Sequence, residues 1–422
     1  MQLLQLITLG LAVLGIPLFV VMAAMALLSF HGAGVDPSVV IIEMSRLADT
    51  PMLLSLPLFI LAGTVLSESK APVRLLDLSN VLLGWLPGGL AVIALVVCSI
   101  FTAFTGASGV TIFALGGLLF PAMLKDRYPE QFSLGLITTS GSLGLLFPPS
   151  LPLILYGVIA ETRIDHLFLA GILPGLLMLA LLAAYSIRKG AATRGPRRQP
   201  LPAGERRRAL RAAAWELPLP VIVLGGIYGG FFVVGEAAAV TALYVLIVEM
   251  CVHRDITPAQ LPSIVVRSMA LFGGIFVVLA ASMASTSFLI DQEIPAKLFA
   301  LIREHISSKY TFLLLLNVFL LMVGCLLDIF SALVLVVPLI VPIAQGYGVD
   351  PTHLGIIFLT NLQIGYCTPP VGLDLFLASY RFERPITELY TATLPFLAIL
   401  LVCLGFITYF PLLSLFLVGL FG

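Results

Sequence analysis

Charge is what this sequence has least of. Only 10% of its 422 residues are Asp, Glu, Lys or Arg, against roughly 25% in a soluble domain. A chain so poor in charge cannot wet its whole surface. Charge-free stretches recur at 1–30, 78–124, 131–160, 217–235, 268–290, 329–349 and 389–422, and about 20 apolar residues suffice for a spanning helix. The scarcity excludes a water-soluble globule. It predicts an all-α polytopic membrane protein with several spans.

Pairing cysteines are missing as well. Cys98, Cys251, Cys325, Cys367 and Cys403 lie singly in apolar segments with no C-x-x-C, which reads as small core residues and leaves no redox or metal-cluster motif. No cofactor is expected. A basic n-region is absent from the opening segment, which is also too long for a cleaved signal peptide and reads as a first transmembrane helix. The basic residues are instead gathered in one place: nine of the chain's 22 Lys and Arg fall in 188–211, beside a single Glu. With its Pro and Gly the segment reads as a polar loop, placed in the cytoplasm by the positive-inside rule. A topogenic loop accounts for it without nucleic acid.

That loop sits near the middle and invites a search for internal repeats. At an offset of 221, Pro121 falls on Pro342, and Gly144–Pro149 (GLLFPP) falls on Gly365–Pro370 (GYCTPP). The same offset lays Thr105–Gly109 over Leu326–Phe330. Three landmarks in register over about 50 residues point to a duplicated unit of the kind from which secondary transporters are built. The expected organisation is a first half over 1–187, the basic loop over 188–211, and a second half with a C-terminal helix over 212–422. Breaks are expected at 105–109 and 144–150, and again at 324–330 and 365–372. An inverted relation between the copies fits best.

Each Pro-Pro removes two N–H donors and forces the preceding residue out of the α region. Carbonyls freed in hydrocarbon must be bonded to something, and a cation serves. Half-helix N-termini after the breaks present N–H groups to an anion. A kink used only for packing is the bland alternative, weakened by its duplication.

Gly106-Ala107-Ser108-Gly109 reads as G-x-S-G and raises an intramembrane serine nucleophile. Such a serine needs a base within reach. His31, His166, His253, His305 and His353 all lie at segment ends or in polar loops, and no Lys lies mid-segment. The matching position in the second half carries Asp328 beside it and no serine. The segment is therefore read as a helix break.

With these residues in view the chain resembles the large membrane subunit of the tripartite ATP-independent periplasmic (TRAP) transporters over essentially its whole length. The resemblance rests on SLPLFILAG (55–63), FTGASG (104–109), SGSLGLLFPPS (140–150), YGGFFVVGEAAAV (228–240) and NLQIGYCTPPVGLDLF (361–376). It implies a multi-pass protein of the bacterial inner membrane that carries a small organic anion inward with sodium. It also implies two partners, a small four-helix membrane subunit and a periplasmic substrate-binding protein, and an elevator fold with scaffold and transport domain. A stand-alone ion-coupled anion carrier is the alternative. The chain departs from the family pattern in Val233-Val234-Gly235 before Glu236-Ala237, in Ala107 before Ser108, and in Asp374 where relatives commonly have Asn. The last change adds a charge beside the second expected cation site.

The residues expected to hold sodium are Thr105, Gly106, Ser108, Gly144, Phe147 and Pro148 in the first half, with Gly324, Gly365, Thr368 and Pro369 in the second. Those expected to serve the substrate are Ser108, Ser150, Asp328, Asp374 and Glu236. An acid at membrane depth is costly and usually functional, although Glu236 and Asp374 would also suit helix caps. The hydroxyls of Thr105, Ser108, Ser150 and Thr368 would otherwise bond back to their own helices. Residues 43–51 and 69–89 read as interfacial scaffold arms, with Trp85 at headgroup level.

Overall fold

The computed structural model describes Thr8, Gly10 and residues 16–48, 50–83, 88–192 and 203–422. Most of the opening segment, Trp85 and the centre of the basic stretch lie outside the described residues. Every regular element described is a helix. Among the described residues seven helices are long and apolar enough to cross a bilayer, or up to nine if each bent pair is one span.

The duplicated plan extends far beyond the proline landmarks. Helices Gly89–Thr105, Ser108–Ala114 with Gly116–Lys125, Glu130–Ser140, Leu151–Ile159 and Ile164–Ala192 make the first series. Lys309–Leu326, Ile329–Gly346, Pro351–Gly365, Leu373–Phe382 and Ile386–Tyr409 follow the same order. At the 221-residue offset the paired starts and ends agree to within about two residues, the usual uncertainty of a helix boundary, with two exceptions. Helix Glu130–Ser140 stops about four residues short of its counterpart's end and is followed by the short turn Leu143–Leu146. The first copy's last helix runs about four residues longer. The Pro148-Pro149 and Pro369-Pro370 bonds are both cis.

The copies are inverted. In the first, Gly88 lies against Ser186–Gly190, and the Tyr128 hydroxyl is 3.3 Å from where a Gly190 Cβ would stand. Gly89–Thr105 and Ser108–Lys125 thus form a hairpin that opens at the far end of helix Ile164–Ala192. In the second, Lys309 Nζ donates to the Gly348 carbonyl at 2.6 Å, and Phe312 stacks on Tyr347 at 4.4 Å. This hairpin opens beside Pro351, whose carbonyl accepts from the Tyr156 hydroxyl at 2.8 Å. Tyr156 is on helix Leu151–Ile159, whose Gly157 lies against Ile164 at the near end of that 29-residue helix, which is about 43 Å long. The two hairpins therefore enter from opposite sides.

Their tips interlock. Helix Ser108–Ala114 of the first copy packs on Leu373–Phe382 of the second, and Ile329–Gly346 of the second packs on Leu151–Ile159 of the first. Around this unit stands a surrounding set with the same reciprocity: Ser55–Glu68 packs on Val234–Ile247, and Leu261–Asp291 packs on Leu18–Gly32.

The basic stretch departs from the expected loop. Arg188 and Lys189 end a helix, and Ala203–Ala212 forms another, because Ala and Arg are strong helix formers. That second helix continues through a turn at Glu216–Leu217 to Tyr228. The expected interfacial arm also differs. Helix Ala71–Leu83 buries Arg74, only 8% exposed, in a nest of acids. Its guanidinium grips Glu249 at 2.7 and 2.8 Å and also bonds to Glu216 and Asp255. The arm is clamped to two spanning helices. It is not simply afloat on the headgroups.

Candidate functional site

The first break is made by Gly106. Its φ of +67° is left-handed, and a Cβ there would stand 2.4 Å from Leu151 Cδ1, so only glycine ends this helix and turns the chain. Ala107 is extended, and Ser108 starts the next helix. In the second copy Gly365 ends its helix, and Gly372, with φ +58°, precedes the helix carrying Asp374.

These two turns bring the key pair together. The Ser108 hydroxyl donates to Asp374 Oδ1 at 2.6 Å, although the residues stand far apart in sequence and belong to opposite copies. Asp374 is 0% exposed and Ser108 4%. The other carboxylate oxygen accepts from the Cys367 thiol at 3.9 Å, and the Ser142 side chain also lies against the carboxylate. No Lys, Arg or His pairs with Asp374 among the described residues. A buried carboxylate without a cation is costly unless it is neutralised. Beside it the Thr102 and Thr111 hydroxyls are 2.6 Å apart, and Thr102 donates to the Gly141 carbonyl at 2.7 Å. Apart from the Cys367 thiol, the groups gathered here are neutral oxygens and one carboxylate, which suits a hard cation.

The remaining expected residues divide. The Thr105 hydroxyl bonds back to the Phe101 carbonyl at 3.0 Å, and that of Thr368 to Ile364 at 2.8 Å. Ser150 donates to the Leu145 carbonyl. Each hydroxyl keeps oxygen lone pairs for a ligand, but its proton is spent locally. Phe147 and Pro148 lie in the extended turn before Ser150. Gly144 sits where a Cβ would be 2.2 Å from the Ser99 carbonyl, and Gly365 packs against Gly324 in the corresponding way. These glycines let the broken span lie directly on the hairpin. The Thr368 carbonyl, just before Pro369, accepts from the Cys325 thiol at 3.2 Å.

Asp328 and Glu236 stand elsewhere. Asp328 caps helix Ile329–Gly346 by accepting from Phe330 N at 3.0 Å and Ser331 N at 3.1 Å. It also borders a cavity of about 240 Å³ against Gly274, Ile275 and Val278. Glu236 reaches back to the Val233 amide at 3.1 Å, and it is exposed. A larger cavity of about 350 Å³ lies further along the same helix pair, between Ser282–Ile290 and Pro338–Gln345, with Glu43, Arg46 and Glu161 on its walls.

Sequence reasoning missed two features. One is the Arg74 nest, whose acids Glu216, Glu249 and Asp255 are far from it in the chain. Glu249, inside an apolar run, was the signal that could have found it. His353 is 2% exposed within the helix beginning at Pro351. It bonds to Ser414 and the Thr408 carbonyl and offers Ser108 no base.

The comparisons agree with this architecture. The family model described as "Tripartite ATP-independent periplasmic transporter, DctM component" matches residues 4–413. The C4-dicarboxylate TRAP transporter large permease protein DctM of Pseudomonas aeruginosa is 35% identical, covering 89% of this chain and 88% of that protein. The ectoine TRAP transporter large permease protein TeaC of Halomonas elongata is 33% identical, covering 97% and 96%. The isethionate TRAP transporter permease protein DctMQ of Oleidesulfovibrio alaskensis is 35% identical over 96% of this chain but only 64% of its own length. Among solved structures the YdaH transporter of Alcanivorax borkumensis superposes with a TM-score of 0.60 at 15% identity, covering 90% of this chain and 87% of that one. That likeness concerns the fold alone. All three named relatives are permeases and not enzymes, and the chain belongs to the DctM large-permease family of TRAP transporters.

Proposed function

We propose that this chain moves a small organic anion across the bacterial inner membrane with sodium. It would take the anion from a periplasmic substrate-binding protein and work in complex with a small four-helix membrane subunit. The observation that carries the sodium reading is Asp374, a wholly buried carboxylate bonded to Ser108 where the two inverted halves meet. A hard cation entering beside it would neutralise the charge and use the hydroxyl and carbonyl oxygens already gathered there. The interlocked hairpins would move as one body against the surrounding helices, as in an elevator. The cavities along helix Leu261–Asp291 would provide the path of approach. Relatives are named for C4-dicarboxylate, ectoine and isethionate, so the substrate here is assigned only as a small organic acid.

The test is uptake of labelled organic acids into proteoliposomes holding both membrane subunits, with and without the binding protein. Uptake is expected only with an inward sodium gradient and the binding protein present. Equal uptake when choline replaces sodium would overturn the coupling. Full uptake without the binding protein would favour a stand-alone carrier.

A further inference from the structure

The helix beginning at Ala203 carries Arg206, Arg207, Arg208 and Arg211, all exposed. None of the four enters an ion pair among the described residues, whereas Arg46, Arg74, Arg163, Arg267 and Arg384 all do. The segment Ala203–Ala212 carries these four arginines against the single Glu205, so its own acid cannot match their charge. The same helical path runs on as an apolar candidate span to Tyr228, which sets the arginines at the edge of the hydrocarbon. Leu210, Trp215 and Leu217 beside them are 38, 45 and 51% exposed. The opposite side of the helix is held on arm Ala71–Leu83. An unneutralised cationic cluster joined to exposed apolar side chains, fixed on a rigid support, matches an amphiphile with an anionic head.

We propose that Arg206, Arg207, Arg208 and Arg211 form a binding site for anionic phospholipid, with phosphate at the guanidinium groups and acyl chains along Leu210, Trp215 and Leu217. Arginine favours phosphate oxygens through paired N–H donors. Basic clusters just cytoplasmic of a span attract anionic lipid. A soluble phosphate would meet the same guanidinium groups but leave the apolar side chains uncovered.

The chain has two tryptophans, Trp85 and Trp215, so the full-length Trp85→Phe variant reports from the site itself. Reconstituted in vesicles, its fluorescence should be quenched by brominated phosphatidylglycerol at a roughly fivefold lower mole fraction than by brominated phosphatidylcholine. Changing all four arginines to Gln should remove the preference while leaving the phosphatidylcholine quenching, which shows Trp215 still in the bilayer. Changing them to Lys should retain part of it. Equal quenching by the two lipids in the starting protein, a comparison that needs no arginine variant, would overturn the proposal. Loss of the preference on adding diphosphate at matched ionic strength would also overturn it, in favour of a soluble anion.

Discussion

The Ser142 hydroxyl donates to the carbonyl of Gln363 at 3.3 Å, and these residues are separated by 221 positions, the interval of the internal repeat itself. Each is therefore the other's counterpart, and they touch where the inverted halves turn into one another. Chemistry is not repeated as faithfully as backbone. The position matching Ser108 is Ile329, and the neighbourhood matching Asp374 is Pro152–Leu153. One tip contact is a buried serine–carboxylate pair, and its mirror contact is apolar.

That asymmetry gives the first prediction. Sodium bound to the folded protein raises its stability by mass action, so wild type should melt at a higher temperature in sodium chloride than in choline chloride. Asp374→Asn should lose most of the difference while matching or exceeding wild type in choline, since the buried charge is gone. Thermal unfolding in detergent reads both. An undiminished sodium shift in the variant would remove Asp374 from the cation site.

Asp328 separates capping from transport. Asn caps about as well as Asp, whereas Ala costs about 1 kcal/mol. Asp328→Asn should insert and assemble normally, and Asp328→Ala should be slightly less stable. Transport should fall strongly in both if the carboxylate serves the adjoining cavity. Wild-type uptake by an equally abundant Asn variant would leave Asp328 as a cap alone.

Removing Arg74 should be severe. Arg74→Met strands three carboxylates, and breaking a buried ion pair costs about 3–5 kcal/mol. The melting temperature and the yield of folded protein should both drop sharply. A melting temperature unchanged from wild type would show that the nest does not hold the arm.

The same nest sets a pH dependence. Burial, reinforced by the Arg74 charge, holds His253 below its ordinary value of 6.5. Burial acts to raise Asp255, but hydrogen bonds from Arg74 and the Lys70 amide outweigh it and leave it below 3.8. For both groups the folded form binds its proton less readily than the unfolded chain. Their stabilisation is complete above the unfolded value and drains away on acidification. The histidine part is lost as pH falls below 6.5, and the aspartate part only below 3.8. His253→Gln should abolish the earlier loss in a series of melts against pH and leave the later one.

Glycine substitutions test the close approach of the broken spans. A Gly144→Ala methyl would stand 2.2 Å from a backbone oxygen, and Gly365→Ala 2.6 Å from Gly324. Each should cost about 1–3 kcal/mol by overpacking. Gly273 and Gly274 have nothing within 4 Å, and Ala there should be neutral or stabilising by up to about 1 kcal/mol. Equal tolerance at all four positions, read by thermal unfolding, would contradict the packing described.

The sequence carried the breaks because proline and glycine act locally, and Pro149 and Pro370 announce themselves without knowledge of any neighbour. It carried Ser108 and Asp374 as separate candidates for the same reason. Their pairing was not legible, since nothing local joins residues so distant in the chain. The wider repeat was hidden for a different reason. Helices such as Ser55–Glu68 and Leu261–Asp291 are apolar along most of their length, and mostly apolar sequences align at many offsets. Asp328 stood out as an acid in an apolar run, but its capping bonds depend on where the helix restarts. Proximity to a break alone could not reveal that.

The interlocking of the tips has a consequence for how the protein is made. Ser108 leaves the ribosome 266 residues before Asp374, an interval on the order of tens of seconds at ordinary synthesis rates. For that time the first re-entrant hairpin has no partner for its tip, and a short half-crossing segment is a poor resident of lipid by itself. The insertion machinery must shelter it or let it wait at the surface until the last third of the chain arrives. Cutting the gene between the halves would therefore yield two pieces that are each unfinished at the point where they should meet.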